Sequence, residues 1–202
     1  STPIKSSAAS DVYKRQGLQY IEINLSVVQC MQENLAERLT EIMKKYHVAP
    51  AQINLEITET AAAHSDMLEN NIKILHKQGI EFSLDDYGSG YSNTDYLFRF
   101  PFRIVKIDKN ILWEAFKNEK AMIALRNTIR MIKELGLEIV VEGVENQEYV
   151  DYLTEQHCDY LQGYFYSKPI PDRDFLELLR RENAQYYAER FSKNELSDII
   201  TT

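Results

Sequence analysis

Two adjacent carboxylates, Asp85 and Asp86, close an apolar run and lead into a glycine-bearing turn, Glu81-Phe-Ser-Leu-Asp-Asp-Tyr-Gly-Ser-Gly-Tyr-Ser92. Like charges this close raise each other's pKa and repel, so a strand end gains nothing from them unless they are neutralised. A divalent cation does that, since magnesium and manganese take hard oxygen ligands. Gly88 and Gly90 allow a tight turn with backbone close to a ligand. In isolation, a solvated Asp-Asp turn explains the pair equally well.

Acids and amides recur at the ends of the other apolar runs. Ile21–Ser26 carries Asn24, Asn54–Glu59 carries Glu56 and Glu59, and Ile104–Asp108 carries Lys106. Glu138–Glu145 carries Glu142 and Glu145, and Tyr160–Tyr166 carries Gln162. Their β-branched and aromatic content marks short strands. Helical stripes lie between them: Leu35, Leu39, Ile42 and Tyr46; Leu68, Ile72 and Leu75; Met122, Leu125, Ile129 and Ile132. Core packing accounts for those stripes. The alternation predicts parallel strands joined by helical crossovers, an α/β fold of (β/α) barrel type. In that architecture polar strand ends converge on one face, which gathers all these groups around one point.

The ordered series resembles the EAL domain family, the cyclic di-GMP phosphodiesterases of bacterial signalling. Asn24-Leu-Ser26, Glu56-Ile-Thr-Glu59, Asp85-Asp-Tyr-Gly-Ser-Gly-Tyr-Ser92, Lys106-Ile-Asp108, Glu142-Gly-Val-Glu145 and Gln162-Gly-Tyr164 with Lys168-Pro169 carry the likeness, from about Ile21 to Pro171. Tyr87, Ser89, Asn93, Thr94 and His157 depart mildly from the usual residues and remove no charge. The Glu-Ala-Leu motif that names the family does not occur. About six of the eight strands of a closed TIM-like barrel are legible, so an incomplete barrel is expected, N-terminally truncated by two strands.

The resemblance implies two-metal hydrolysis of cyclic di-GMP to linear pGpG, with two Mg²⁺ or Mn²⁺ ions. Asn24, Glu56 and Asp85 would hold the first ion. Asp85 would bridge to the second, assisted by Asp86 and, through water, Glu142. Lys106 would orient the water and, like Glu142, act in catalysis. Gln162 and Glu145 would position substrate or water, and Glu59 would anchor the Asp85–Ser92 loop. The family also implies a homodimer and, in the parent protein, an upstream GGDEF or sensor domain. Two alternatives stand beside the enzyme: a non-catalytic EAL module acting as cyclic di-GMP receptor or protein-interaction domain, and an unrelated metal-dependent barrel. The chain as written is expected to be inactive and poorly folded.

The first residues read differently from the rest. Ser1–Ser10 is rich in Ser and Ala, and Asp11-Val-Tyr-Lys-Arg-Gln16 resembles the translation of a sequencing-library adaptor. Residues 1–16 are therefore expected to be a non-native or disordered leader, with a genuine linker as the alternative. Residues 17–202 are expected to form one partial EAL domain. Asp172 is expected to cap a helix bearing Phe175, Leu178 and Leu179, with residues 194–202 frayed.

Composition fits a cytoplasmic domain whose parent could be membrane-anchored. Among 202 residues, 44% are hydrophobic, enough for a core. A net charge of −8 disfavours DNA, which needs a basic face. Cys30 and Cys158 form no C-x-x-C, and His47, His64, His76 and His157 have no zinc-ligand spacing. No apolar stretch has the length of a membrane segment.

Overall fold

The computed structural model describes residues 20–62, 66–90, 94–171, 173–178, 180 and 181. The chain divides into two units, Tyr20–Ser167 and one that includes the described residues from Lys168 onward. In the first, six strands form one sheet: β1 (Ile21–Leu25), β2 (Ile53–Thr58), β3 (Glu81–Tyr87), β4 (Ile104–Ile107), β5 (Glu138–Val141) and β6 (Tyr160–Leu161). Spatial order equals chain order, and every neighbouring pair is parallel. Parallel neighbours require crossovers, and helices supply them.

After β1 come α1 (Val27–Cys30) and α2 (Leu35–Lys45); after β2, α3 (Glu59–Ala62) and α4 (Asp66–Lys77). A short α5 (Asp95–Arg99) follows β3, and α6 (Lys109–Ala115) with α7 (Glu119–Glu134) follows β4. Helix α8 (Gln147–Glu155) joins β5 to β6. This is the winding of a (β/α) barrel. Among the described residues the sheet is not closed, and β1 and β6 each have one neighbour.

The helix starts are written in the sequence. Asp108, directly after β4, accepts from Asn110 N at 2.9 Å and starts α6. Asn118 starts α7 by accepting from Lys120 N at 2.9 Å, and Asn146 starts α8 by accepting from Tyr149 N at 3.0 Å. Each cap satisfies a backbone donor that the first helical turn leaves open. Between strands and helices lies the core, in which Phe82, Leu84, Val105, Ile107, Ile139 and Val141 are wholly buried.

Leu68, Ile72 and Leu75 of α4 are buried, as are Leu125, Ile129 and Ile132 of α7, while Met122 is partly so. Helix α2 departs from its predicted stripe. Ile42 is 49% exposed and Met43 only 8%, with Leu35 and Ala36 buried. The packed face is thus turned toward Ala36 and Met43, and Ile42 falls at its edge. Burial pushes the free thiols of Cys30 and Cys158 up to about 11, as expected of packed rather than reactive cysteines.

In the second unit, residues 173–178 are helical, and Phe175 N donates to Pro171 O at 2.9 Å. The predicted cap Asp172 and the side chain of Leu179 lie outside the described residues. So do the leader over residues 1–16, His64, Tyr91, Ser92, Asn93 and residues 194–202. No described helix is long and apolar enough to cross a membrane.

Candidate functional site

Side chains of consecutive strand residues point to opposite faces, so Asp85 and Asp86 would ordinarily diverge. A bulge prevents this. Leu84 pairs with Val105 and Tyr87 with Ile107, leaving both aspartates opposite Lys106 alone. Asp86 takes the left-handed conformation at φ 56°, which a short polar side chain tolerates better than most. As a result Asp85, Asp86 and Glu142, the last from the end of β5 two strands away, offer carboxylate oxygens within 4.8 Å of one another.

Lys106 projects from β4 into this group and is 4% exposed. Its ammonium hydrogen-bonds Glu56 and lies 3.2 Å from Glu142 Oε1 and 3.4 Å from Asp85 Oδ1. Burial alone would lower its pKa, but the hydrogen bond to Glu56 and the charges of Asp85, Glu56 and Glu142 outweigh that and raise it. One ammonium faces three carboxylates, so the cluster stays net negative and Asp86 adds to the excess. Burial is also the main cause that raises the carboxyls of Asp86 and Glu142, with the Asp85 charge adding to each. Asp85 Oδ1 is buried without a hydrogen-bond partner, its contact to Lys106 being electrostatic only. A buried, unsatisfied carboxylate oxygen in an anionic cluster is the donor chemistry that a hard divalent cation takes. The residues fit such an ion.

The remaining predicted positions surround this centre unevenly. Asn24 stands beside Glu56 in the β1–β2 register, with an exposed side chain. Gln162 is exposed and donates from Nε2 to Glu142 Oε1 at 3.2 Å. Its backbone is pinned because Val144 N donates to Gln162 O at 3.1 Å, and Gly163 packs so tightly that an added Cβ would sit 2.1 Å from Val144 O. Glu59 is buried, and its Oε2 accepts from Gly88 N at 3.1 Å, a direct tie to the glycine turn. Glu145 lies exposed in the loop before α8, outside the carboxylate group.

Three polar residues escaped the sequence reading: Glu22, Asn54 and Ser83. Asn54 and Ser83 are buried, and Asn54 Nδ2 donates to Ser83 Oγ at 2.7 Å. Burial, then the Glu56 charge and a hydrogen bond to Glu56, push the Glu22 carboxyl up to about 7. A signal was present, since counting two residues back from Asn24, Glu56 and Asp85 lands on these three.

Known proteins resemble this chain in sequence and in fold. Residues 6–169 match the EAL domain profile. The cyclic di-GMP phosphodiesterase RocR of Pseudomonas aeruginosa is 33% identical over 145 residues, 71% of this chain and 37% of RocR. The EAL domain of Mycobacterium smegmatis DcpA superposes with a TM-score of 0.78 at 29% identity, covering 87% of this chain and 78% of that one. The PaMucR phosphodiesterase, in a c-di-GMP complex, does so with a TM-score of 0.74 at 27% identity, covering 84% and 72%. The chain spans 37% of the length of RocR, and 21% of that of YkoW from Bacillus subtilis. With a parallel barrel-type sheet, motifs in family order and a match over most of its length, this chain belongs to the EAL domain family.

Proposed function

We propose that the chain carries a metal-dependent phosphodiesterase site that hydrolyses cyclic di-GMP to linear pGpG. The buried Lys106 ammonium amid Glu56, Asp85 and Glu142, with Asp86 brought alongside by the bulge, is the observation that carries this proposal. Divalent ions, when bound, supply Lewis acidity toward phosphoryl oxygens and lower the pKa of water. Asn24, Glu56 and Asp85 would hold one Mg²⁺ or Mn²⁺, and Asp85, Asp86 and Glu142 a second.

Lys106 supplies a fixed positive charge, held without reorganisation by its carboxylate partners, for the oxyanion that develops at phosphorus. Glu142, raised in pKa and joined to Lys106 and Gln162, is placed to hold and pass a proton. Gln162 and Glu145 orient the dinucleotide, and Glu59 holds the glycine turn through Gly88. RocR, whose name states this activity at 33% identity, supports the substrate class. A homodimer, an upstream GGDEF or sensor domain and a cytoplasmic location belong to the same proposal.

Turnover of cyclic di-GMP with saturating manganese, followed by chromatography of pGpG beside calorimetric binding, tests the proposal. In a closed barrel that carries these strands, conversion to pGpG is expected, whereas the open sheet alone is expected to be inactive. Binding without conversion by that barrel would make the chain a receptor, and neither would refute both readings.

A further inference from the structure

Trp113 is the chain's one tryptophan, and its indole N–H donates to the carbonyl of Gly143 at 2.8 Å. Gly143 directly follows Glu142 beyond the end of β5, so this bond joins α6 to the turn that carries a candidate cation ligand. The fit leaves no slack. Gly143 takes a left-handed φ of 72°, and a Cβ added there would lie 2.3 Å from Lys109 Cβ and 3.0 Å from Trp113 Nε1. Glycine alone meets both demands. Helix α6 is itself fixed, since Asp108 caps it and Leu112 and Ala115 are buried. The Lys109 ammonium lies 5.5 Å from the centre of the Trp113 ring, an attraction that further restrains the indole.

Filling space does not account for this tryptophan. The ring is only partly buried, and it borders an open cavity lined also by Tyr87 and Gly88, which follow Asp85 and Asp86. A leucine or phenylalanine would pack on the helix as well; what the indole adds is a donor. That donor completes a grip on one short segment. Glu142 N donates to Ile107 O at 3.1 Å, the Glu142 carboxylate meets Lys106 at 3.2 Å, and Val144 N donates to Gln162 O at 3.1 Å. The carbonyl between them is the one that Trp113 holds.

We propose that Trp113 is a positioning residue, whose indole N–H fixes the Glu142–Val144 turn in the orientation that presents Glu142 to Asp85 and Asp86 for a shared divalent cation. The inference rests on the metal-dependent function proposed above. A cation that needs one orientation of the turn binds more weakly in proportion as that orientation is less populated. Loss of one neutral hydrogen bond depopulates it by about 2–10-fold.

The test is calorimetric titration of the whole chain with Mn²⁺, the fold of each variant being checked by circular dichroism. Trp113→Phe keeps an aromatic ring and removes the donor, and is expected to bind Mn²⁺ about 2–10-fold more weakly than the wild type. Trp113→Met serves in its place should the phenylalanine variant not fold. Trp113→Gln gives up the ring but keeps an N–H the same number of bonds from the backbone, and is expected to recover affinity. In a Glu142→Gln background, Trp113→Phe is expected to cause no further loss, because the turn then presents no carboxylate. Unchanged affinity in the phenylalanine variant would overturn the inference. A glutamine variant as weak as the phenylalanine one would do so too, since the ring and not the donor would then matter, and so would an equal loss in both backgrounds. If the wild type binds Mn²⁺ but a closed barrel that carries these strands leaves cyclic di-GMP intact, the phosphodiesterase proposal fails and the affinity series still decides the role of Trp113. A wild type that binds no Mn²⁺ would overturn both.

Discussion

Lys106 is the one positive charge in contact with Glu56, Asp85 and Glu142 among the described residues, and it is almost wholly buried. Removing one partner of a buried ionic group leaves the others uncompensated. Lys106→Met should therefore destabilise the cation-free chain by about 3–5 kcal/mol. Manganese should recover part of that loss, because a ligand that binds only the native state stabilises it. Equal urea midpoints for the two proteins without cation would contradict this. Glu22 gives a second prediction, for pH. Folding raises its carboxyl from the ordinary 4.5 to about 7, so between those values the folded state holds more protons than the unfolded one. Stability without divalent cations should accordingly fall as pH rises through that window, and the raised carboxyls of Asp86 and Glu142 act in the same direction. Urea midpoints measured along the window should decline, less steeply in Glu22→Gln; a flat or rising series would be inconsistent with this linkage.

At the level of elements, the strand ends position the site, and the β5–β6 junction is the most sterically constrained of them. Gly163 leaves no room for a Cβ, the obstruction being Val144 backbone rather than a flexible side chain. Gly163→Ala should force the junction apart, carry Gln162 away from Glu142 and lower stability by about 1–3 kcal/mol. An unchanged melting temperature together with unchanged turnover would contradict that packing. Much of this scale was legible from sequence, because β-branched runs ending in acids are also the runs that pair in the sheet. The bulge was not. Asp85-Asp86 announces two carboxylates, but alternation places them on opposite faces, and only the register slip against β4 brings both inward. The packed face of α2 is not fixed by sequence either, since a stripe through Ile42 and one through Met43 differ by a single position and the neighbouring elements choose between them. Glu22, Asn54 and Ser83 carry no such mark, because polar residues inside a strand read as solvent-facing until the sheet is wound.

For the whole described sheet, the winding gathers Glu56, Asp85, Asp86, Lys106 and Glu142 from four consecutive strands onto one end. The same sheet has an outer edge at β1 and another at β6. Parallel sheets are ordinarily covered, and open edges template association. The chain expressed as given is expected to self-associate, with light scattering reporting species above the 23.6 kDa monomer; a strictly monomeric, cooperatively unfolding chain would contradict this. The central claim, that these strand ends form a cation-dependent phosphodiesterase site, turns on Asp85, whose buried Oδ1 has no hydrogen-bond partner. Replacing it by asparagine keeps the shape and removes the charge. The most direct measurement is cyclic di-GMP turnover, at saturating manganese, by a closed barrel that carries these strands and by its Asp85→Asn variant, with unfolding followed on the same samples. A loss of several orders of magnitude in kcat, with the fold retained, is the predicted result. Equal turnover by the two proteins would contradict the account.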